Sequence, residues 1–72
     1  MKKIDEDINA LDVCGWAPIH YAVCYGCFEF VQLLINHGAD VQILSKSMKT
    51  PLMLAKQYEY ESIAQLLIAN GA

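Results

Sequence analysis

The chain contains no arginine. The planar five-donor fork that reads phosphates and guanine edges is therefore absent. Eight acidic residues against five lysines leave a formal charge of −3, so nucleic acid is excluded as an expected partner. Long apolar runs are missing as well. None exceeds five residues although 56% of the chain is apolar, which is too rich for disorder and too broken to cross a bilayer. No membrane insertion is expected. The opening MKKIDEDIN has two lysines followed by acids in place of the apolar stretch of a secretory signal, so the expected location is intracellular, cytoplasm or nucleus. Cysteine is scarce and odd in number, three in all, which argues for reduced thiols rather than a disulfide frame. There is no glycine-rich phosphate loop and no serine with an evident histidine and acid to activate it, so neither an enzyme nor a cofactor is expected. The only acid cluster, Asp5, Glu6 and Asp7, lacks the spaced ligands and glycine of a calcium loop and reads as a solvated tail.

What is present is self-similarity. At an offset of 33 residues, Asp12 to Ala39 overlies Ser45 to Ala72, and nine of those 28 positions are identical: Pro18, Ala22, Tyr25, Gln32, Leu33, Leu34, Ile35, Gly38 and Ala39 with their counterparts. Chance would give about two. The same offset places Asp7 and Ile8 over Asp40 and Val41. The chain thus divides into a flexible tail at residues 1–6, the end of one unit at 7–11, a full unit at 12–44 and a second at 45–72 that stops short of its end. At 72 residues this is one small domain, whose core leaves only a few kcal/mol over the cost of ordering the chain.

Punctuation gives the shape of each unit. Proline suits the first turn of a helix and pushes the residue before it out of helical geometry, so Pro18 and Pro51 each start a helix. The first helix is predicted to run to about Tyr25 and close at Gly26, with a second from near Phe28 to just before Gly38. Phe28, Phe30, Val31, Leu33, Leu34 and Ile35 cover more than one face of that second helix, as expected where neighbours pack on several sides. Val41 and Ile43, followed by Ser45 to Lys49, suit a hairpin-like finger. The expected fold class is all-α, a solenoid of stacked helix–turn–helix units joined by β-hairpin-like fingers.

The stretch DVCGWAPIHYAVCYGCFEFVQLLINHGADVQ from Asp12 resembles an ankyrin repeat, and KTPLMLAKQYEYESIAQLLIANGA resembles another. EDINALD resembles the finger left from a preceding one. The resemblance implies a non-enzymatic module that binds a protein partner through finger tips and the concave row of first helices. Carried over position by position, it implies partner contacts at Val13, Cys14, Trp16, Tyr21 and Tyr25 in the first unit and at Lys46, Ser47, Lys49, Leu54 and Tyr58 in the second. Trp16 would lie beside Lys49, Tyr21 beside Leu54 and Tyr25 beside Tyr58. Aromatic side chains at such places bring large contact area with few rotors to freeze. The alternative implied by the resemblance is a structural stub that self-associates or stacks on further ankyrin repeats, since roughly three units are needed for a continuous core.

Departures from the family pattern matter too. The threonine that caps the first helix and the histidine two residues after proline occur together in neither unit: the first has Ala17 with His20, the second Thr50 with Met53. Met48 and Glu59 stand where the first unit has Gly15 and Gly26, and a non-glycine in a left-handed turn costs roughly 1 to 2 kcal/mol. Lys56, where a small residue is usual, fits a unit on which no further helix packs. Cys24 and Cys27 have the spacing of a dithiol redox pair or half a zinc site, with Cys14, His20 and His37 as further ligand types. A βαβ pattern and a second closely spaced ligand pair are both lacking, so the pair reads as an ordinary interhelix turn and no metal is expected. His20 reads as a structural hydrogen-bonding residue, and His37 as one that interacts with the carbonyl end of its helix. Ala17→Thr supplies the missing cap and is expected to stabilise the fold by about 1 kcal/mol. A thermal melt checks this, and an unchanged or lower midpoint contradicts it.

Overall fold

The computed structural model describes residues 8–72; the tail expected at residues 1–6, with Asp7, lies outside the described residues. Four helices follow one another: α1 (Pro18–Cys24), α2 (Phe28–Asn36), α3 (Pro51–Gln57) and α4 (Glu61–Ala69). Within each unit the two helices pack across a short turn, and between units α1 packs on α3 and α2 on α4. The result is the expected all-α stack.

Local chemistry explains each helix end. Ala17 and Thr50, each before a proline, are extended at φ −90° and −91°. The Thr50 hydroxyl accepts the Met53 N–H at 3.2 Å, capping α3. Ala17 has no such group, and at the start of α1 its own N–H instead donates to His20 Nδ1 at 2.9 Å. All four helices stop in the same way, with a left-handed residue and a pair of bonds back into the last turn. For α1 these are Gly26 N–H to Val23 O at 2.9 Å and Cys27 N–H to Ala22 O at 3.1 Å; for α3 they are Glu59 N–H to Lys56 O at 3.2 Å and Tyr60 N–H to Ala55 O at 2.8 Å. Glu59 adopts this conformation at φ 62° without being glycine, and Met48 does so at φ 66° in the second finger.

The fingers differ in detail from the expectation. Among the described residues there is no strand. Each finger is a single rung closed by a turn: Asp12 N–H to Trp16 O at 2.9 Å with Gly15 N–H to Asp12 O at 2.8 Å, then Ser45 N–H to Lys49 O at 3.0 Å with Met48 N–H to Ser45 O at 2.9 Å. Val41 and Ile43, the residues of β character, are in no ladder because Val41 is turned into the core and Ile43 is half-buried against it. The two fingers are tied by Lys46 N–H to Gly15 O at 3.0 Å.

The core lies between the units. Ile19, Val23, Val31 and Leu67 are fully buried, with Ala22 and Ala55 letting the first helices approach closely. Burying one such branched side chain stabilises by about 1.5–3 kcal/mol, against a net of about 3–5 kcal/mol for a core of this size. Each of these residues is therefore decisive.

Two substitutions in the turns are expected to act in opposite directions. A Cβ at Gly15, where φ is +85°, would lie 2.6 Å from Lys46 Cβ, so Gly15→Ala must push the fingers apart and lower the melting midpoint. Glu59→Gly relieves a left-handed glutamate and should raise the midpoint by up to about 8 °C, the shift that about 1 kcal/mol produces in so small a domain. Thermal melts of the two variants check the pair; shifts of the same sign contradict it.

Candidate protein-binding surface

Side chains at the base of each finger set its shape. Asp12 Oδ1 accepts the N–H groups of Cys14 at 3.0 Å and Trp16 at 3.1 Å, while Oδ2 accepts the Tyr21 hydroxyl. One period later Ser45 Oγ accepts the Lys49 N–H at 3.1 Å and sits 3.1 Å from Ser47 Oγ. The Tyr21 hydroxyl, and after it the Trp16 N–H, hold the Asp12 carboxyl below its ordinary value of 3.8. The same bond raises the Tyr21 phenol above its ordinary range.

His20 joins the two units. A backbone N–H can only donate, so Nδ1, which faces the Ala17 N–H, is the acceptor and the ring proton is on Nε2. That Nε2–H donates to the Lys49 carbonyl at 3.0 Å, directly beneath the second finger. The ring is completely buried with both nitrogens satisfied. A second set of ties repeats with the sequence period. Asn9 Nδ2 donates to Gly38 O at 3.3 Å and Gln42 Nε2 donates to Gly71 O at 2.6 Å, 33 residues apart at both ends. These amides were legible only as two uncharged residues in matching places.

An aromatic row runs along the first-helix side. Ring centroids lie 5.1 Å apart for Trp16 and Tyr21 and 6.4 Å apart for Tyr21 and Tyr25, with Trp16 also 5.7 Å from His20. In the second unit Tyr58 lies 5.8 Å from Tyr60, and the Cys24 thiol reaches the Tyr58 hydroxyl at 3.7 Å, which connects the two halves of the row. Tyr25 is 75% exposed and Tyr58 is exposed beside it in sequence register. Val13, Cys14, Lys46 and Ser47 are exposed on the fingers, and Trp16, Tyr21 and Lys49 are half-buried where fingers meet helices.

Leu54 is the exception among the expected contact residues. It is only 3% exposed and belongs to the core, so it cannot touch a partner. The reason is its neighbour: in the second unit this position is covered by the first, whereas its counterpart Tyr21 is not. Met53, 49% exposed where the first unit has the buried His20, and Met48 at the tip of the second finger are open apolar residues that the family pattern did not single out. The signal was the missing histidine itself.

Cys24 ends α1 and Cys27 directly precedes α2 without a side-chain capping bond, so the thiol pair spans the interhelix turn. Among the described residues, no three of histidine, cysteine, aspartate and glutamate converge in a way that could hold a metal ion. No helix among them is long and apolar enough to cross a membrane.

Stacked helix pairs with tied fingers and open first helices define a helical repeat protein of the kind that offers an extended surface to others. The family model for ankyrin repeats, in 3 copies, matches residues 2–72, and the chain belongs to the ankyrin repeat family. Ankyrin repeats are in general protein–protein interaction modules. The chain is 42% identical to the putative ankyrin repeat protein YahD of Escherichia coli, over 92% of this chain and 35% of that protein. It is 37% identical to protein phosphatase 1 regulatory subunit 27 of Mus musculus, over 90% of this chain and 42% of that one. The match to the mouse 2-5A-dependent ribonuclease is 44% identical but covers 68% of this chain and 7% of the enzyme. The chain thus spans less than half the length of each of these relatives.

The Asp12 network gives a direct expectation. Because the folded carboxyl titrates below its unfolded value, its contribution to the first finger is present above the unfolded value and is lost as pH falls through the folded one. Tyr21→Phe removes the largest cause and should move the Asp12 titration upward towards 3.8. Following the Asp12 carboxyl carbon by NMR against pH checks this, and an unmoved midpoint contradicts it.

Proposed function

We propose that the chain is a non-catalytic, intracellular recognition module that binds a protein partner across its first-helix face and finger tips. The single observation that carries this reading is the exposure of three large apolar or aromatic side chains on the first helices and their ends, Tyr25 at 75%, Met53 at 49% and Tyr58 at 41%. Aromatic and methionine side chains are enriched in binding surfaces because they bury much area for little lost rotamer freedom. Val13, Cys14, Lys46 and Ser47 extend the surface to the tips, and Trp16, Tyr21 and Lys49 form its edge. That one relative is by name a regulatory subunit of protein phosphatase 1 supports a role in which the module positions another protein.

The test is a quantitative capture from cell lysate, with Tyr25→Ser, Met53→Ser and Tyr58→Ser combined in one variant whose helicity matches that of the unaltered chain. Hot-spot losses of about 2 kcal/mol per residue correspond to roughly thirty-fold weaker binding, so specific partners should disappear from the variant. Equal capture by both proteins contradicts the reading. Dilution separates it from a self-stacking stub, which would lose helicity as concentration falls.

A further inference from the structure

The chain has three asparagines, and they precede Ala10, His37 and Gly71. An asparagine followed by glycine carries a latent reaction. The main-chain nitrogen of the glycine, once deprotonated, attacks the side-chain Cγ, and no Cβ on that residue obstructs the approach. The N–Cγ bond forms as the Cγ–Nδ2 bond breaks, ammonia leaves, and a five-membered succinimide ring remains. Water then opens the ring at either carbonyl. Cleavage at Cγ leaves aspartate; cleavage at the main-chain carbonyl leaves isoaspartate, with the backbone rerouted through the side chain. Carboxamide and water thus become an acid and ammonia, with no oxidant or reductant needed.

In the fold, the stop of α4 holds this reaction off. Asn70 directly follows the helix with ψ at 18°, which turns the Gly71 nitrogen away from the Asn70 side chain, so the ring closes only after rotation about Cα–C. Two bonds oppose that rotation: Asn70 Nδ2 donates to Leu66 O at 2.9 Å, and Gly71 N–H donates to Ile68 O at 3.1 Å. Ala72 N–H donates to Leu67 O at 3.0 Å, and Gln42 Nε2 reaches over from the first unit to donate to Gly71 O at 2.6 Å. Asn70 and Gly71 are both exposed, and nothing lies within 4 Å of where a Cβ on Gly71 would stand, so water reaches the pair once the turn opens. The first unit makes the same stop with His37 and Gly38, tied by Asn9, but an imidazole offers no carboxamide to attack.

We propose that Asn70–Gly71 is a deamidation site that the last turn of α4 and the Gln42 amide keep closed, and that its conversion releases the second unit from the Gln42 tie. Neither product fits the stop. A carboxylate cannot donate to Leu66 O, and it adds negative charge at the carbonyl end of a nine-residue helix. Isoaspartate also lengthens the main chain by one carbon, which displaces the Gly71 carbonyl from Gln42 and the Ala72 N–H from Leu67 O. A brief local opening is thereby converted into a lasting loss of order between the units. Tyr25, Met53 and Tyr58 take no part, so this proposal does not depend on the recognition reading.

The test incubates the full chain at mildly alkaline pH, with and without denaturing urea, and follows deamidation by mass spectrometry with peptide mapping. Conversion is expected at Asn70 well ahead of Asn9 and Asn36, and at least about ten-fold slower in the folded protein than in urea. Gln42→Ala should speed the folded reaction about five-fold, the effect of one net hydrogen bond on an opening equilibrium, and leave the rate in urea unchanged. Asn9→Ala, which cuts the matching tie in the first unit, should leave the Asn70 rate alone. Asn70→His, the residue the first unit uses here, should abolish the reaction and keep the fold. The converted protein, separated by anion exchange, should melt at a lower temperature than the unconverted one. Equal rates with and without urea, no conversion at Asn70 in urea, or equal acceleration by Gln42→Ala and Asn9→Ala overturns the proposal. So does a converted protein with an unchanged melting midpoint.

Discussion

The structure depends on one buried ring. His20 accepts the Ala17 N–H through Nδ1 and donates to the Lys49 carbonyl through Nε2, so a single side chain starts α1 and fixes where the second finger lies. Neither bond is replaceable by water, because the ring is completely buried. Leaving either group unpaired in such surroundings costs about 1–3 kcal/mol, a large fraction of what a domain of this size has to spare. The rest of the interface is built around this contact: the fingers join through Gly15 and Lys46, and Tyr60 packs over Gly26 at the turn between α1 and α2.

That rigidity gives the exposed residues their value. A side chain that is already held loses little freedom on binding, so the surface it presents converts more of its buried area into affinity. Trp16 and Tyr21 are held by the Asp12 carboxylate and by each other, and Tyr58 by Cys24 and Tyr60. The recognition proposed for this chain rests on the order of the fingers and first helices.

Much of this organisation was legible in the sequence because it is carried by residues with strong local rules. Pro18 and Pro51 placed two helix starts, and the left-handed stops at Gly26 and Gly38 placed the ends to within a residue or two. Even the strained turns at Met48 and Glu59 followed from comparison with Gly15 and Gly26. Leu54 was misread for a different reason. The repeat pattern assigns both units the same faces, but burial depends on which neighbour is present, and Leu54 has the first unit beside it while Tyr21 has an open groove. The Asn9 and Gln42 ties were hidden because asparagine and glutamine at a loop position carry no distinctive signal until their carbonyl partners are placed. The weak β character of Val41 and Ile43 described burial rather than pairing.

The most direct measurement is a long-range ¹H–¹⁵N correlation of the His20 ring in the folded protein at neutral pH. The expected result is a proton on Nε2 that exchanges slowly with water, and an unprotonated Nδ1. A proton on Nδ1, or an Nε2 proton that exchanges as fast as that of an exposed histidine, would contradict the bridge between the units and with it the fixed surface that recognition requires.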